Sequence, residues 1–260
     1  MSVFVPDPVS RLGAQVRGGW SLSLYESAGE GGGCFAGARE YNRGGGEGPA
    51  ADPERAAAEA GRRAAGRLRR YCAHNRLNRL GTLTYAGEGC HDPRQARADV
   101  GVFFRRLRAG LDGAPLPYVW VPEWHKSGHG LHLHFAVGRF VPRSLIEQAW
   151  GHGFVHIKLL GASAGSGSLG EARMAAGYLS KYVAKSFANA DGVLRPAGLH
   201  RFDVAQGFTP RAVRLTARSR GGLVDEASQR MGARPSRVWY SDQVEGWQGP
   251  PALWLQWGGR

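Results

Sequence analysis

Hydrophobic and polar positions alternate with a period of two in several short stretches and recur every three to four residues in others. Leu80-Gly-Thr-Leu-Thr-Tyr85, Pro117 to Trp124, Leu131 to Val137 and Phe154 to Ile157 read as strands. Between them, Ala96, Val100, Phe103, Phe104, Leu107 and Leu111 recur at helical spacing after an Asp92-Pro93 start signal. Asp52-Pro53 opens an earlier helix, with Ala57, Ala60, Ala64, Leu68 and Tyr71 on one side and Arg62, Arg63, Arg67, Arg69 and Arg70 on the rest. Pro142 starts a short helix that buries Leu145, Ile146, Ala149 and Trp150 before Gly151. A last long helix covers roughly 170–188. The six residues 125–130 form a turn, so the strands on either side make a hairpin.

The order strand, helix, hairpin, helix, strand, helix predicts an α+β fold with an antiparallel sheet flanked by helices. Outside this region the pattern thins. Residues 1–51 are glycine-rich and read as a flexible tail with a short strand near Trp20–Tyr25. Residues 52–222 read as the folded domain. Val213–Ala217 is expected as a strand and Asp225–Met231 as a helix. Residues 223–260 form a tail containing Trp239, Tyr240, Trp247, Trp254 and Trp257. These aromatics are expected to pack back on the domain; stacking on bases is the alternative reading.

Charge narrows the class. Against 21 acidic residues stand 34 basic ones, a formal net charge of +13. Such an excess points to a polyanion, most simply nucleic acid, because each phosphate contact releases counterions. Only Lys126, Lys158, Lys181 and Lys185 are lysines, a usage that suggests a bacterial host with a GC-rich genome. Cys34, Cys72 and Cys90 form neither a metal-type pair nor an even disulfide framework. No apolar run is long enough to span a membrane, and the first residues lack the pattern of a signal peptide, so a cytoplasmic location is expected.

Two segments carry candidate chemistry. In Leu131-His-Leu-His-Phe-Ala-Val137, His132 and His134 share one face of a strand while Leu131, Leu133, Phe135 and Val137 fill the other. Two neighbouring imidazoles can bind one divalent ion. Glu123 on the partner strand joins them if the hairpin pairs it with His132; a slip of one residue would turn it away. His125 and His129, in the turn, are expected to meet solvent or DNA and serve as substitute ligands only if Glu123 points elsewhere. Two nitrogens and a carboxylate suit Mg²⁺, Mn²⁺ or Zn²⁺.

The second segment is Tyr178-Leu-Ser-Lys181-Tyr182-Val-Ala-Lys185. On a helix Tyr178, Tyr182, Lys181 and Lys185 fall within one arc of ~100°, apart from the apolar arc of Ala172, Ala176, Leu179 and Val183. The tyrosines are therefore not the stripe that buries the helix. A phenol is a weak nucleophile at neutral pH, and a lysine one turn away favours its phenolate. Together the two segments suggest metal-assisted cleavage of a phosphodiester through a tyrosyl-phosphate bond.

Thr82-Leu-Thr84, Glu123 with His132-Leu-His134, and Tyr178-x-x-Lys181-Tyr182-x-x-Lys185 resemble, in series, the three motifs of the HUH endonuclease superfamily. The likeness is to its rolling-circle replication initiators of the two-tyrosine type, found in plasmids and in small single-stranded DNA phages. It spans roughly residues 78–188. It implies a five-stranded antiparallel sheet with metal and tyrosines on one face, Mg²⁺ or Mn²⁺ as cofactor, and single-stranded or origin-hairpin DNA as substrate. It also implies nicking with the 5′ phosphate captured on tyrosine, a 3′ hydroxyl left for a host DNA polymerase, and later rejoining of ends. No Walker A sequence is present, so unwinding would fall to a host helicase. A two-tyrosine transposase or relaxase, and a non-catalytic single-stranded DNA-binding protein, are the alternatives.

Overall fold

The computed structural model describes residues 18–37, 53–159, 168–187, 200–247 and 249–258. The chain divides into two units: residues 49–209, and the segments before 49 and after 209 together. The fold is α+β, with one antiparallel five-stranded sheet in each unit.

In the central unit, β3 (Arg79–Tyr85), β4 (Tyr118–Trp124), β5 (Leu131–Val137), β6 (Gly153–Leu159) and the two-residue β7 (Asp203–Val204) form a sheet of order β6-β3-β5-β4-β7. Its four helices are α1 (Pro53–His74), α2 (Pro93–Ala109), α3 (Arg143–Trp150) and α4 (Ser168–Phe187). Strand alternation gives the sheet two apolar faces. Leu83, Leu133, Phe135 and Val155 pack with Val100, Phe103, Phe104 and Leu107 of α2 and Ile146 and Trp150 of α3. On the other face Leu80, Val119, Val121 and Ala136 pack with Leu68, Tyr71 and Cys72 of α1 and Ala175, Ala176, Leu179 and Val183 of α4.

Local signals account for the helix ends. The Asp92 side chain accepts from Arg94 N at 2.8 Å, leaving Pro93, which has no N–H to satisfy, at the first helical position. Gly151 takes a left-handed φ of 64° and closes α3, a conformation that costs glycine nothing. Asp52 lies outside the described residues.

Three polar ties fasten helices to the sheet. Trp150 Nε1 donates to Thr84 O at 3.2 Å, Tyr71 Oη to Ala205 O at 3.2 Å, and Tyr85 Oη to Asp99 Oδ2 at 2.8 Å. Asp99 is almost fully buried and also accepts from Gln95 Nε2 at 2.8 Å. Burial, followed by the bond to this carboxylate, raises the Tyr85 phenol far above its usual range, so it stays a donor. Tyr85→Phe is expected to cost about 2 kcal/mol in urea unfolding, the worth of a bond to a charged acceptor. A loss below about 0.5 kcal/mol would mean that water replaces the phenol at Asp99.

The other unit differs from the expected pair of tails. β1 (Gly18–Tyr25) and β2 (Glu30–Gly37) form a hairpin, and β1 pairs with β8 (Val213–Ala217), Trp20 lying opposite Ala217. β2 pairs with β10 (Ala252–Gln256), which pairs with β9 (Arg237–Tyr240). Helix α5 (Arg220–Met231) places Leu223 and Ala227 against Trp20, Leu22, Leu24, Leu215, Leu253, Leu255 and Trp257. The expected strand 213–217 and the helix near 225–231 are present, the helix starting earlier. Val213–Ala217 belongs to this sheet, not to the central domain ending at 222, because its alternating residues face Leu22 and Trp20. Ser219 caps α5 by accepting from Gly222 N. Trp257 is buried, whereas Trp247 is 41% exposed. Cys34, Cys72 and Cys90 are free thiols. Among the described residues no helix is long and apolar enough to cross a membrane.

Candidate active site

The hairpin register settles where Glu123 points. Glu123 pairs with His132 and Val121 with His134, while across β3 Thr84 pairs with His132 and Thr82 with His134. Both histidines, both threonines and Glu123 therefore lie on the face that α1 and α4 cover. The tight connection that sets this register is closed by His125 N bonding to Gly130 O and Gly128 N to His125 O. Gly130 has φ 82°, and a Cβ there would sit 2.4 Å from Cys90 O, so only glycine fits.

His134 is buried at the centre of the group. Its Nε2 lies 2.8 Å from Glu123 Oε2 and its Nδ1 3.0 Å from Thr82 Oγ1. An ionised carboxylate can only accept, so Nε2–H donates to Glu123. In the neutral ring the Thr82 hydroxyl then donates to Nδ1. Both ring nitrogens are thereby fixed in direction by strands on either side.

His132 is half-buried, and its Nε2 is enclosed without a hydrogen-bond partner among the described residues. Burial first, then the nearby His125, His134 and His129, push its pKa down to about 4, against a smaller opposing pull from Glu123. The ring is therefore neutral at physiological pH and keeps a free lone pair, the form in which imidazole binds a metal. His125 stacks on it with ring centres 4.3 Å apart. His129 turns its Nε2 to Tyr85 O at 2.9 Å.

Helix α4 lays its tyrosines over this group. Ala172, Ala175, Ala176, Leu179 and Val183 are buried, which fixes the rotation of the helix. Tyr182 is half-buried, and its ring stacks on His134 with centres 4.1 Å apart and planes 9° from parallel. The Tyr178 ring lies 6.1 Å from His134 and 5.2 Å from Tyr182, edge-on to both. Tyr178 is 39% exposed. Burial first, then the hydrogen bond to Tyr178, raise the Tyr182 phenol well above its usual range. Lys181 is exposed on the same helix; the Lys185 side chain lies outside the described residues. Asn78 Nδ2 donates to Glu171 Oε2 at 2.7 Å, tying the first turn of α4 to the approach to β3.

All the expected site residues except Lys185 are described in full. Glu123, His132, His134, Tyr178 and Tyr182 come together, while Lys181 stands exposed to solvent. Thr82, a direct partner of His134, and His125, stacked on His132, complete the setting. Thr82 was legible in the Thr-Leu-Thr alternation. The stacking of His125 was not, because contact across a turn leaves no periodic trace. As they stand, no three His, Cys, Asp or Glu side chains among the described residues are gathered closely enough to hold a cation, Glu123 and His134 being bonded to each other. The donor chemistry nevertheless suits one: an enclosed imidazole nitrogen without a partner, a second imidazole and a carboxylate.

Residues 78–187, from the approach to β3 through the end of α4, match the family model of the replication-associated protein ORF2. The match covers under half of the chain and relates that part of it to replication-associated proteins. No curated protein and no solved structure matches the chain.

Proposed function

We propose that this chain is a replication initiator of the HUH type that nicks one DNA strand at an origin through tyrosine. One observation carries the reading: the two phenol rings of α4 stand over the strand face that holds His132, His134 and Glu123, with Tyr182 stacked on His134 at 4.1 Å. The family match over residues 78–187 supports a role in replication.

In this reading a tyrosine oxygen attacks the phosphorus of one phosphodiester. A bond from the phenol oxygen to phosphorus forms, the bond from phosphorus to the 3′ oxygen breaks, and the phenol proton ends on the released 3′ hydroxyl. The 5′ end is then held as a phosphotyrosine, the ester energy is kept, and the reverse reaction rejoins ends. Lys181 and Lys185, one turn from the phenols, offset charge that develops on phosphorus. Thr82 and Glu123 hold the His134 ring in one orientation. His132, His134 and Glu123 would hold Mg²⁺ or Mn²⁺, which when bound polarises a non-bridging phosphate oxygen. The second tyrosine accepts or cleaves the next strand while the first is occupied. Single-stranded or hairpin origin DNA is the substrate, and host helicase and polymerase supply unwinding and synthesis.

The test is incubation with labelled single-stranded origin DNA and Mn²⁺, followed by denaturing electrophoresis in SDS. A protein–DNA adduct is expected. Its absence with every strand of the origin region, while the protein still binds DNA, would leave a binding module in place of a nuclease. His132→Ala is expected to lower adduct yield by roughly 10–100-fold while leaving DNA affinity in EDTA within about twofold, the effect of losing one ligand. An undiminished yield would remove His132 from the site.

A further inference from the structure

Strand β6 is an edge of the central sheet, and three of its side chains share the face of the candidate site. Phe154 pairs with Thr84, His156 with Thr82 and Lys158 with Leu80, and β3 carries the same rows on to His132, His134 and Ala136. The alternate residues Val155 and Ile157 pack into the opposite core. Helices α1 and α4 bury Leu80, Val119, Val121 and Ala136 on the site's face but leave the β6 row open. Phe154, His156 and Lys158 are all exposed, and Phe154 is 70% exposed.

An aromatic ring left in water forgoes roughly 2 kcal/mol of burial free energy. Edge strands ordinarily present charge to prevent pairing with another chain, and Lys158 serves that purpose where Phe154 does not. The ring also stands in the row of Thr84 and His132, two strand spacings from the imidazole, or roughly 10 Å. That is a reach of one or two nucleotides. His156 and Lys158 continue the row with a polar ring and a cation, on a chain of net charge +13.

We infer that Phe154, His156 and Lys158 form a track for the single-stranded DNA flanking the scissile phosphate, with Phe154 stacking on one unpaired base and Lys158 meeting the backbone. An unpaired strand is the occupant because a base offers its π-face to a side ring only when it has left the duplex stack. The inference rests on the nicking reading for where the strand passes, but binding along the track requires no cleavage.

The experiment measures equilibrium binding of the full chain, in EDTA, to a fluorescent oligothymidine of about 20 nucleotides and to a duplex of equal length. Phe154→Ala is expected to weaken binding to the single strand about tenfold and to leave duplex affinity within about twofold, the worth of one stacked base. Phe154→Trp is expected to restore or exceed the original affinity. Lys158→Ala is expected to flatten the dependence of log affinity on log salt by about 0.7, one single-strand phosphate contact. Circular dichroism on each variant checks folding, which an exposed position leaves intact. Equal affinity for Phe154→Ala, an equal loss on duplex, or failure of tryptophan to restore binding would each overturn the track. If the track fails while wild-type adduct forms, the nuclease reading stands alone. If no adduct forms while Phe154→Ala loses single-strand binding, the track stands and the chemistry falls.

Discussion

Replacing Tyr178 and Tyr182 together by phenylalanine is expected to remove the covalent DNA adduct, by at least about a thousandfold, with no change in fold. The loss is large because a nucleophile has no partial substitute: without a phenol oxygen no phosphotyrosine can form. The fold survives because phenylalanine keeps the ring. Stacking of position 182 on His134 is a contact of ring faces, and α4 is held by Leu179, Val183 and its alanines on the other side. The single variants separate the roles. Tyr178 is 39% exposed, whereas Tyr182 is half-buried with its phenol raised by burial and by the bond to Tyr178. Tyr178→Phe should therefore depress the first cleavage more than Tyr182→Phe, and Tyr182→Phe should allow the first adduct to form and block its onward transfer. Gel quantification of adduct and of rejoined product on a two-site substrate reads both steps. An adduct that persists in the double variant would place the nucleophile elsewhere.

The second large effect is on stability. Gly81→Ala is expected to destabilise the central unit by about 3 kcal/mol, measured by denaturant unfolding. In an ordinary strand this change is mildly favourable, because alanine loses less entropy, by roughly 0.5–1 kcal/mol. Here the sign reverses. A Cβ at position 81 would lie 2.1 Å from both Cε1 and Cζ of Phe135, whose ring is 1% exposed and meets Phe103 and Phe104 edge-on at 5.5 Å and 6.1 Å. The ring has nowhere to move without displacing those neighbours. Pairing Gly81→Ala with Phe135→Leu, which removes the clashing atoms, is expected to cost less than the sum of the two single changes. Strict additivity would mean that Phe135 is not what excludes the methyl group. Because Phe135 follows His134 on β5, the same substitution should also lower adduct yield.

Much of the central unit was legible from residue order. Ala96 to Leu107 on α2 and Leu131 to Val137 on β5 carry unbroken periodicity, and a one-residue shift would have put Leu133 and Phe135 in the wrong layer. The pairing of Glu123 with His132 followed from that constraint on a short hairpin. The rotation of α4 was likewise readable, since Leu179 and Val183 define the buried arc.

The second sheet was not, for two reasons. Its pairing strands stand far apart in the chain, as with Trp20 opposite Ala217, and no local pattern reports such partners. In β2, the inward positions are Gly31 and Gly33, which reads as a tail. A Cβ at Gly31 would meet the Leu22 side chain at 3.2 Å, and one at Gly33 would meet Ser21 O at 2.1 Å. The missing side chains are the space into which β1 packs. The exposed row on β6 also escaped notice, because alternation shows that Phe154 faces away from Val155 without showing that no helix lies above it.

The interleaving of β1 and β2 with strands from beyond residue 210 bears on how the protein is made. On the ribosome, residues 49–209 can complete their own core while the first hairpin still lacks β8 and β10 on its flanks. Until those last stretches emerge, that hairpin offers two bare edges to any passing chain. Translation halted near residue 210 would thus release a finished central body bearing an adhesive leader, so messages cut short in the final fifth should yield aggregates instead of silent fragments.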